Sequence, residues 1–249
     1  MMGSHPVWRV FTLSCRQQLR SRRSAFLALL VGAPVLMSIA IRLATASLGP
    51  FRMSGAGAAV AVFGTMISLL YVRFIVPVVG VFAGTALIAD EVDDKTITYL
   101  FTRPIPRQAV LLGKYLAYLA SAGLLVLPSA ALSFLFLVPL GDAPAALPAL
   151  AGDLAMLAAG LVAYGAVFAF VGARLHRPLT IGLVFAFGWE PLVQWLPGYL
   201  NRLTVVYYLL ALRDTPAFWT AAVQLASIAS VMLWLAARTV EQREYVLEQ

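Results

Sequence analysis

Long apolar runs separated by short polar breaks organise this chain. Six runs stand out, at about Ala25–Ala46, Ala58–Ala89, Tyr115–Leu140, Leu147–Gly172, Leu179–Leu196 and Ala217–Ala237. An α-helix needs roughly 20 apolar residues to cross a bilayer core, and these runs are of that order. A segment in hydrocarbon must satisfy its own backbone hydrogen bonds, so such runs read as helices. The pattern predicts an all-α integral membrane protein with six transmembrane helices, a single transmembrane domain over residues 1–249.

Residues 6–23 carry a different period. At 100° per residue, Trp8, Phe11, Cys15 and Leu19 fall on one side, with Arg9, Arg16, Arg20 and Arg23 opposite. That separation predicts an interfacial amphipathic helix, its apolar face in the acyl boundary and its cations toward anionic membrane lipids. The six-span portion then occupies residues 24–249. The segment Pro197–Pro216 contains Tyr199, Leu203, Val205, Val206, Tyr207, Tyr208, Leu209 and Leu210. It is too apolar for a solvated loop and too short for two full crossings. It predicts a re-entrant or interfacial helical hairpin on the outer face, buried in protein or lining a cavity.

The most informative polar break is an island, Asp90–Lys114, reading D-E-V-D-D-K-T-I-T-Y-L-F-T-R-P-I-P-R-Q-A-V-L-L-G-K. It holds eight of the chain's 29 charged residues, so it does more than join two helices. Acids lead, and Ile97, Leu100 and Phe101 follow at helical spacing. A Pro-x-Pro stop at Pro104 and Pro106 ends that short helix, with Arg103 and Arg107 flanking it. Two readings stand side by side: a solvated loop resting on the membrane, or a helix whose apolar face docks in a partner's groove.

Composition agrees with the pattern. The chain is 61% hydrophobic and 12% charged, about half the charge of an ordinary soluble domain, and its mean hydropathy is +0.88. A net charge of +7 invites a nucleic-acid reading. The cations lie at the ends of apolar runs, where orientation signals belong, and no aromatic–basic RNA-binding motif accompanies them. No nucleic-acid partner is expected. With both termini inside, 13 Lys and Arg collect on the cytoplasmic side against four outside, at Arg42, Arg52, Arg202 and Arg213. The positive-inside rule therefore places both termini and the island in the cytoplasm of a plasma (inner) membrane protein. The single cysteine, Cys15, excludes an internal disulfide and a paired-cysteine zinc site. His5 and His176 lie far apart, so no metal site is expected. The first apolar run is too long for the core of a cleavable signal peptide.

Two ionisable residues fall deep inside the spans, whereas Asp153 lies near the outer end of span 4. Arg73 lies near the middle of span 2 and Glu190 within span 5, at similar depths from the cytoplasmic side. An Arg at bilayer centre costs about 2.5–3.5 kcal/mol on insertion scales, so it needs a reason. Arg73 and Glu190 are expected to pair or to share a polar cavity. A buried ion pair that fixes packing, a translocation path, and simple snorkelling all remain open. Gly80, Gly84, Gly160, Gly165, Gly182 and Gly188 are expected to permit close helix approach.

The segment from Glu91 to Lys114 resembles the signature of ABC-2-type transporter permeases. The matching residues are Glu91, Lys95-Thr96, Leu100-Phe101, the turn from Pro104 to Arg107, and Gly113-Lys114. The basic N-terminal helix, six spans and apolar hairpin before the last span are similar too, so the resemblance covers essentially the whole chain. It implies one half of a dimeric exporter channel, paired with a second copy or a paralogue. It also implies a coupling helix over about Glu91–Phe101 that fits a cleft in an ABC ATPase, two ATPase copies per complex. Glu91, Asp93, Asp94, Thr96, Ile97, Leu100, Phe101 and Arg103 are then the ATPase-coupling residues. The chain has no P-loop: Gly113-Lys114 lacks the preceding Gly and following Ser/Thr of that motif. No cofactor is expected in this chain, which is not itself an enzyme; ATP and Mg belong to the partner ATPase. Three other readings stay open. They are a stand-alone secondary transporter or channel using Arg73 and Glu190, an integral membrane enzyme, and an ABC complex that moves lipid or drives an extracytoplasmic assembly partner. The absence of an internal repeat weighs against the first, and the lack of His beside the island's acids against the second. Apolar, aromatic spans with one Arg and one Glu suit an amphiphile, a lipid-linked molecule or a drug-like compound.

Overall fold

The computed structural model describes residues 11–15, 18, 22–47, 56–87, 107–196, 199–214 and 216–242, and among them every regular element is helical. Helix α1 is Arg22–Ser47. Helix α2 covers 56–84 in four abutting pieces: α-helical Ala56–Met66 and Val76–Val79, and π-helical Ile67–Ile75 and Gly80–Gly84. Helix α3 is Arg107–Leu137 and α4 is Ala143–Arg174. Helix α5 covers 178–195, as Pro178–Val184, π-helical Phe185–Trp189, and Glu190–Trp195. A 3-10 turn at Tyr199–Leu203 precedes α6, Val205–Ala211, and α7 is Phe218–Gln242.

Five of these, α1, α2, α3, α4 and α7, are long and apolar enough to cross a membrane. The fifth apolar run of the sequence, α5, is weaker because Glu190 and Gln194 dilute it and its pieces are only 7, 5 and 6 residues. Helix α3 starts at Arg107, directly behind the Pro-x-Pro stop, so its first two turns precede the apolar run that begins at Tyr115. Polar contacts hold those turns: Gln108 donates to Glu241 at 2.7 Å, and Lys114 to the Leu87 carbonyl at 2.8 Å. The hairpin segment resolves into two short pieces, the 3-10 turn and α6, with Val205, Val206 and Leu209 of α6 buried.

Helices α2 and α4 form the centre. In each, 61% of the most apolar stretch is buried, against 22% in α1 and α7. Helix α4 packs on α2, α3, α5, α6 and α7, while α1 reaches the bundle chiefly through α3. Glycines let α2 and α4 approach: a Cβ on Gly80 would lie 2.9 Å from the Tyr164 Cβ, and one on Gly84 3.0 Å from the Phe168 Cβ. Gly160, Gly165 and Gly182 also face neighbouring helices, at Val76, Tyr118 and Val81, with Gly165 the tightest, whereas Gly188 meets only Val184 of its own helix. Hydroxyls add polar contacts inside the bundle: Tyr71 bonds Ser129 at 2.8 Å and Ser133 at 3.1 Å, and Ser129 donates to the Val31 carbonyl. Such groups join helices where apolar packing alone gives little preference over lipid. At the end opposite the island, Trp195, Tyr199 and Trp219 are 88%, 80% and 76% exposed, as an aromatic belt at a bilayer interface would be.

Candidate functional site

The prolines of α2 and α5 shape the layer that carries Arg73 and Glu190. A helical proline lacks an N–H and crowds the carbonyl four residues back. Pro77 stands four residues after Arg73, and Pro191 four after Phe187; each is the second residue after a π-helical segment. At the ends of these segments, Val76 donates to the Tyr71 carbonyl and Glu190 to the Phe185 carbonyl, both i to i−5. π-Helical geometry inside α-helices occurs frequently at functional sites.

The two charges take different partners. Arg73 is exposed, and its guanidinium donates to the Gln194 side chain, one turn beyond Glu190. Phe74 meets Phe187 with ring centroids 5.5 Å apart, so neighbouring residues of α2 touch α5 at two points. Glu190 is 1% exposed. One carboxylate oxygen accepts from the Tyr164 hydroxyl of α4, the other from the Val205 N–H at 3.0 Å. Val205 opens α6, where backbone N–H groups lack helical partners and an anion is favoured. Thr204 caps the same end, accepting from the Tyr207 N–H. The structure thus brings Arg73 and Glu190 to one contact region between α2 and α5 without a direct ion pair. Glu190 instead clamps three elements, α4, α5 and α6.

An ion pair does occur elsewhere. Arg213, just after α6, donates from Nε and Nη2 to Asp153 Oδ1 of α4, at 2.9 and 2.6 Å. Its Nη1 donates to Ser68 at 2.7 Å and to the Gly64 carbonyl at 3.3 Å, both on α2. The sequence placed Arg213 on the outer side but gave it no partner. The available signal was a lone acid inside an otherwise apolar span, with a cation near the end of the apolar hairpin. Tyr164 and Gln194 carried no sequence signal of their own.

At the island end, buried Lys114 reaches the Leu87 carbonyl, joining the start of α3 to the end of α2 across the base of the island. A cation on a helix's last carbonyls is favourable. The proposed coupling residues Glu91, Asp93, Asp94, Thr96, Ile97, Leu100, Phe101 and Arg103 lie outside the described residues. So do Trp8, Arg9, Arg16, Leu19 and Arg20 of the N-terminal helix, and the side chain of Arg23. Of that helix, Phe11–Cys15 and Gln18 are described and helical. The segment sits against α3: Cys15 Sγ lies 4.0 Å from the Ala117 carbonyl, and Ser121 donates to Gln18 at 2.7 Å. Among the described residues no cluster of three or more His, Cys, Asp or Glu could hold a metal ion.

A family model described as ABC-2 family transporter protein matches residues 8–205, from the N-terminal helix to the start of α6. No curated protein matches the chain.

Proposed function

The chain belongs to the ABC-2 family of transporter proteins, and from that premise we propose that it is the membrane-spanning subunit of an ATP-driven exporter. It is a multi-pass membrane protein with a permease role. Permeases of this family typically work with an ATPase subunit. In our reading two copies of this chain, or this chain and a paralogue, enclose the path, and two ATPases hold ATP and Mg. The whole chain forms one transmembrane domain, with both termini and the island cytoplasmic and α5 as a sixth crossing. Residues 197–216 form the outer hairpin. Glu91 to Arg103 carry ATPase closure into the spans. The Lys114–Leu87 contact gives that lever a fixed base, because it ties both helices that enter the island.

One observation carries the paired-channel reading: Arg73 is exposed although it stands near the middle of Gly57–Gly84. A guanidinium facing acyl chains at that depth is costly. A second subunit or an aqueous path beside the α2–α5 face removes that cost.

The coupling arm is tested by mild-detergent pull-down from native membranes. Intact protein is expected to bring down an ABC ATPase, and combined charge reversal at Glu91, Asp93 and Asp94 to lose it while the permease stays monodisperse. Retention of the ATPase by the reversed protein overturns the assignment of the acids; no ATPase with the intact protein overturns the exporter reading. The path arm is tested by labelling. In a Cys15→Ser background, Arg73→Cys is expected to react with a charged, water-borne thiol reagent at least about tenfold faster than Leu124→Cys. Leu124 is an exposed position of α3, and charged reagents are excluded from hydrocarbon. Equal, slow labelling removes Arg73 from the path.

A further inference from the structure

A cavity of about 660 Å³ opens between α2, α3, α4 and α7, beside the turn after α6. Its wall is mostly apolar, including Phe63, Phe134, Met156 and Leu225, and the polar side chains on it are Asp153 and Arg213. Part of its rim, at Ala149, Gly152 and Ala155, is exposed on the outside of the bundle, where lipid lies in a membrane protein. Asp153 is 7% exposed, buried at the cavity rather than at a bulk-water surface.

The hydrogen bonding of this pair is incomplete in a specific way. Both bonds from Arg213 fall on Oδ1; among the described residues Oδ2 of Asp153 accepts none. A guanidinium has five N–H donors. Four are engaged, on Asp153, Ser68 and Gly64, which leaves one on Nη2. The pair, buried Asp153 and exposed Arg213, therefore keeps one unbonded acceptor beside one unbonded donor in the lining of an apolar cavity. A purely anionic head group meets the Asp153 carboxylate, and a purely cationic one meets Arg213. A head group carrying both charges aligns antiparallel to the pair, ammonium on Oδ2 and phosphate on Nη2, while its chains take the apolar wall.

We propose that this cavity is a binding site for a zwitterionic phospholipid whose primary ammonium donates to Asp153 and whose phosphate accepts from Arg213. A primary ammonium is specified because a quaternary one has no N–H for Oδ2. The inference rests on the permease reading only for its place in transport; binding itself is a property of the isolated chain.

The test is native mass spectrometry of the purified protein titrated with phosphatidylethanolamine, phosphatidylcholine, phosphatidylglycerol or diacylglycerol. Phosphatidylethanolamine is expected to be retained about tenfold more than phosphatidylglycerol or diacylglycerol, a difference of about one decade in affinity. Phosphatidylcholine should fall between, and millimolar free phosphoethanolamine should not displace the lipid, because it lacks the chains. The joint change Asp153→Asn with Arg213→Gln is expected to abolish the preference. If that protein does not fold, Gly152→Leu serves: it fills the rim from a position with no atom within 4 Å of a new Cβ and leaves the ion pair intact. It too should abolish retention. Equal retention of all four lipids, preference for phosphatidylglycerol, displacement by free phosphoethanolamine, or a preference that survives these variants overturns the site. Failure of the ATPase pull-down with lipid preference intact overturns the exporter reading and leaves the site standing.

Discussion

Gly172→Ala is expected to destabilise the protein by about 3 kcal/mol or more, at the upper end of overpacking costs. A Cβ there would lie 2.5 Å from the Thr85 carbonyl oxygen, 3.1 Å from its Cα and 3.2 Å from its carbonyl carbon. All three atoms are backbone, at the last turn of α2, and none swings away on a side-chain rotor. The new methyl must push α4 from α2, the two most buried helices of the bundle. Thr85 is also pinned, its hydroxyl donating to the Val81 carbonyl at 2.5 Å. The control is Gly152→Ala on the same helix, where nothing lies within 4 Å of the added Cβ. Alanine there should be neutral or stabilising, by up to about 1 kcal/mol from helix propensity. Thermal unfolding of both variants in one detergent, read beside size-exclusion profiles, decides the matter. Equal transitions would mean that α2 and α4 do not meet at this register.

Glu190→Ala is expected to cost about 3 kcal/mol, a fall in the unfolding temperature of roughly 6–12 °C for a domain of this size. The carboxylate receives two hydrogen bonds in a site that is 1% exposed. Its removal leaves the Tyr164 hydroxyl and the Val205 N–H unpaired, at about 1–3 kcal/mol each if water does not replace it. Glu190→Gln should cost less, because the amide oxygen can still accept from one donor, although its NH2 cannot accept from the other. Tyr164→Phe combined with Glu190→Ala should cost clearly less than the sum of the single changes, since each single change already breaks the shared bond. Arg73→Ala combined with Glu190→Ala should instead be close to additive, because Arg73 bonds Gln194 and not Glu190. Strong coupling to Arg73 and none to Tyr164 would show that the carboxylate has the other partner in the folded protein.

These two cases mark the boundary between what was legible in the chain and what was not. Five spans could be read directly, because the need to bury backbone polar groups in a helix acts on each apolar segment separately. The family could be read for a similar reason: the island's charges, prolines and Gly-Lys are contiguous in sequence. Gly80, Gly84, Gly160, Gly165 and Gly182 were recognisable as packing residues by type. Which contact was closest was not, and Gly172, nearest to another helix's backbone, was not singled out at all.

The sequence by itself determined that Arg73 and Glu190 were costly and needed a purpose, since a charge deep in an apolar span carries an insertion cost whatever its partner turns out to be. Only the tertiary structure decided their partners. Hydrogen bonds reach about 3 Å, so the outcome turned on π-helical turns before Pro77 and Pro191 that shift each helix's register. Those turns left Arg73 beside Gln194 and turned Glu190 to Tyr164 and the start of α6. The same holds for Asp153 and Arg213, 60 residues apart in the chain. Asp153 stands alone in its apolar run and Arg213 has only Asp214 beside it in the sequence; the packing of α4 against α2 and the turn after α6 makes Asp153 and Arg213 one polar site in the wall of an apolar cavity.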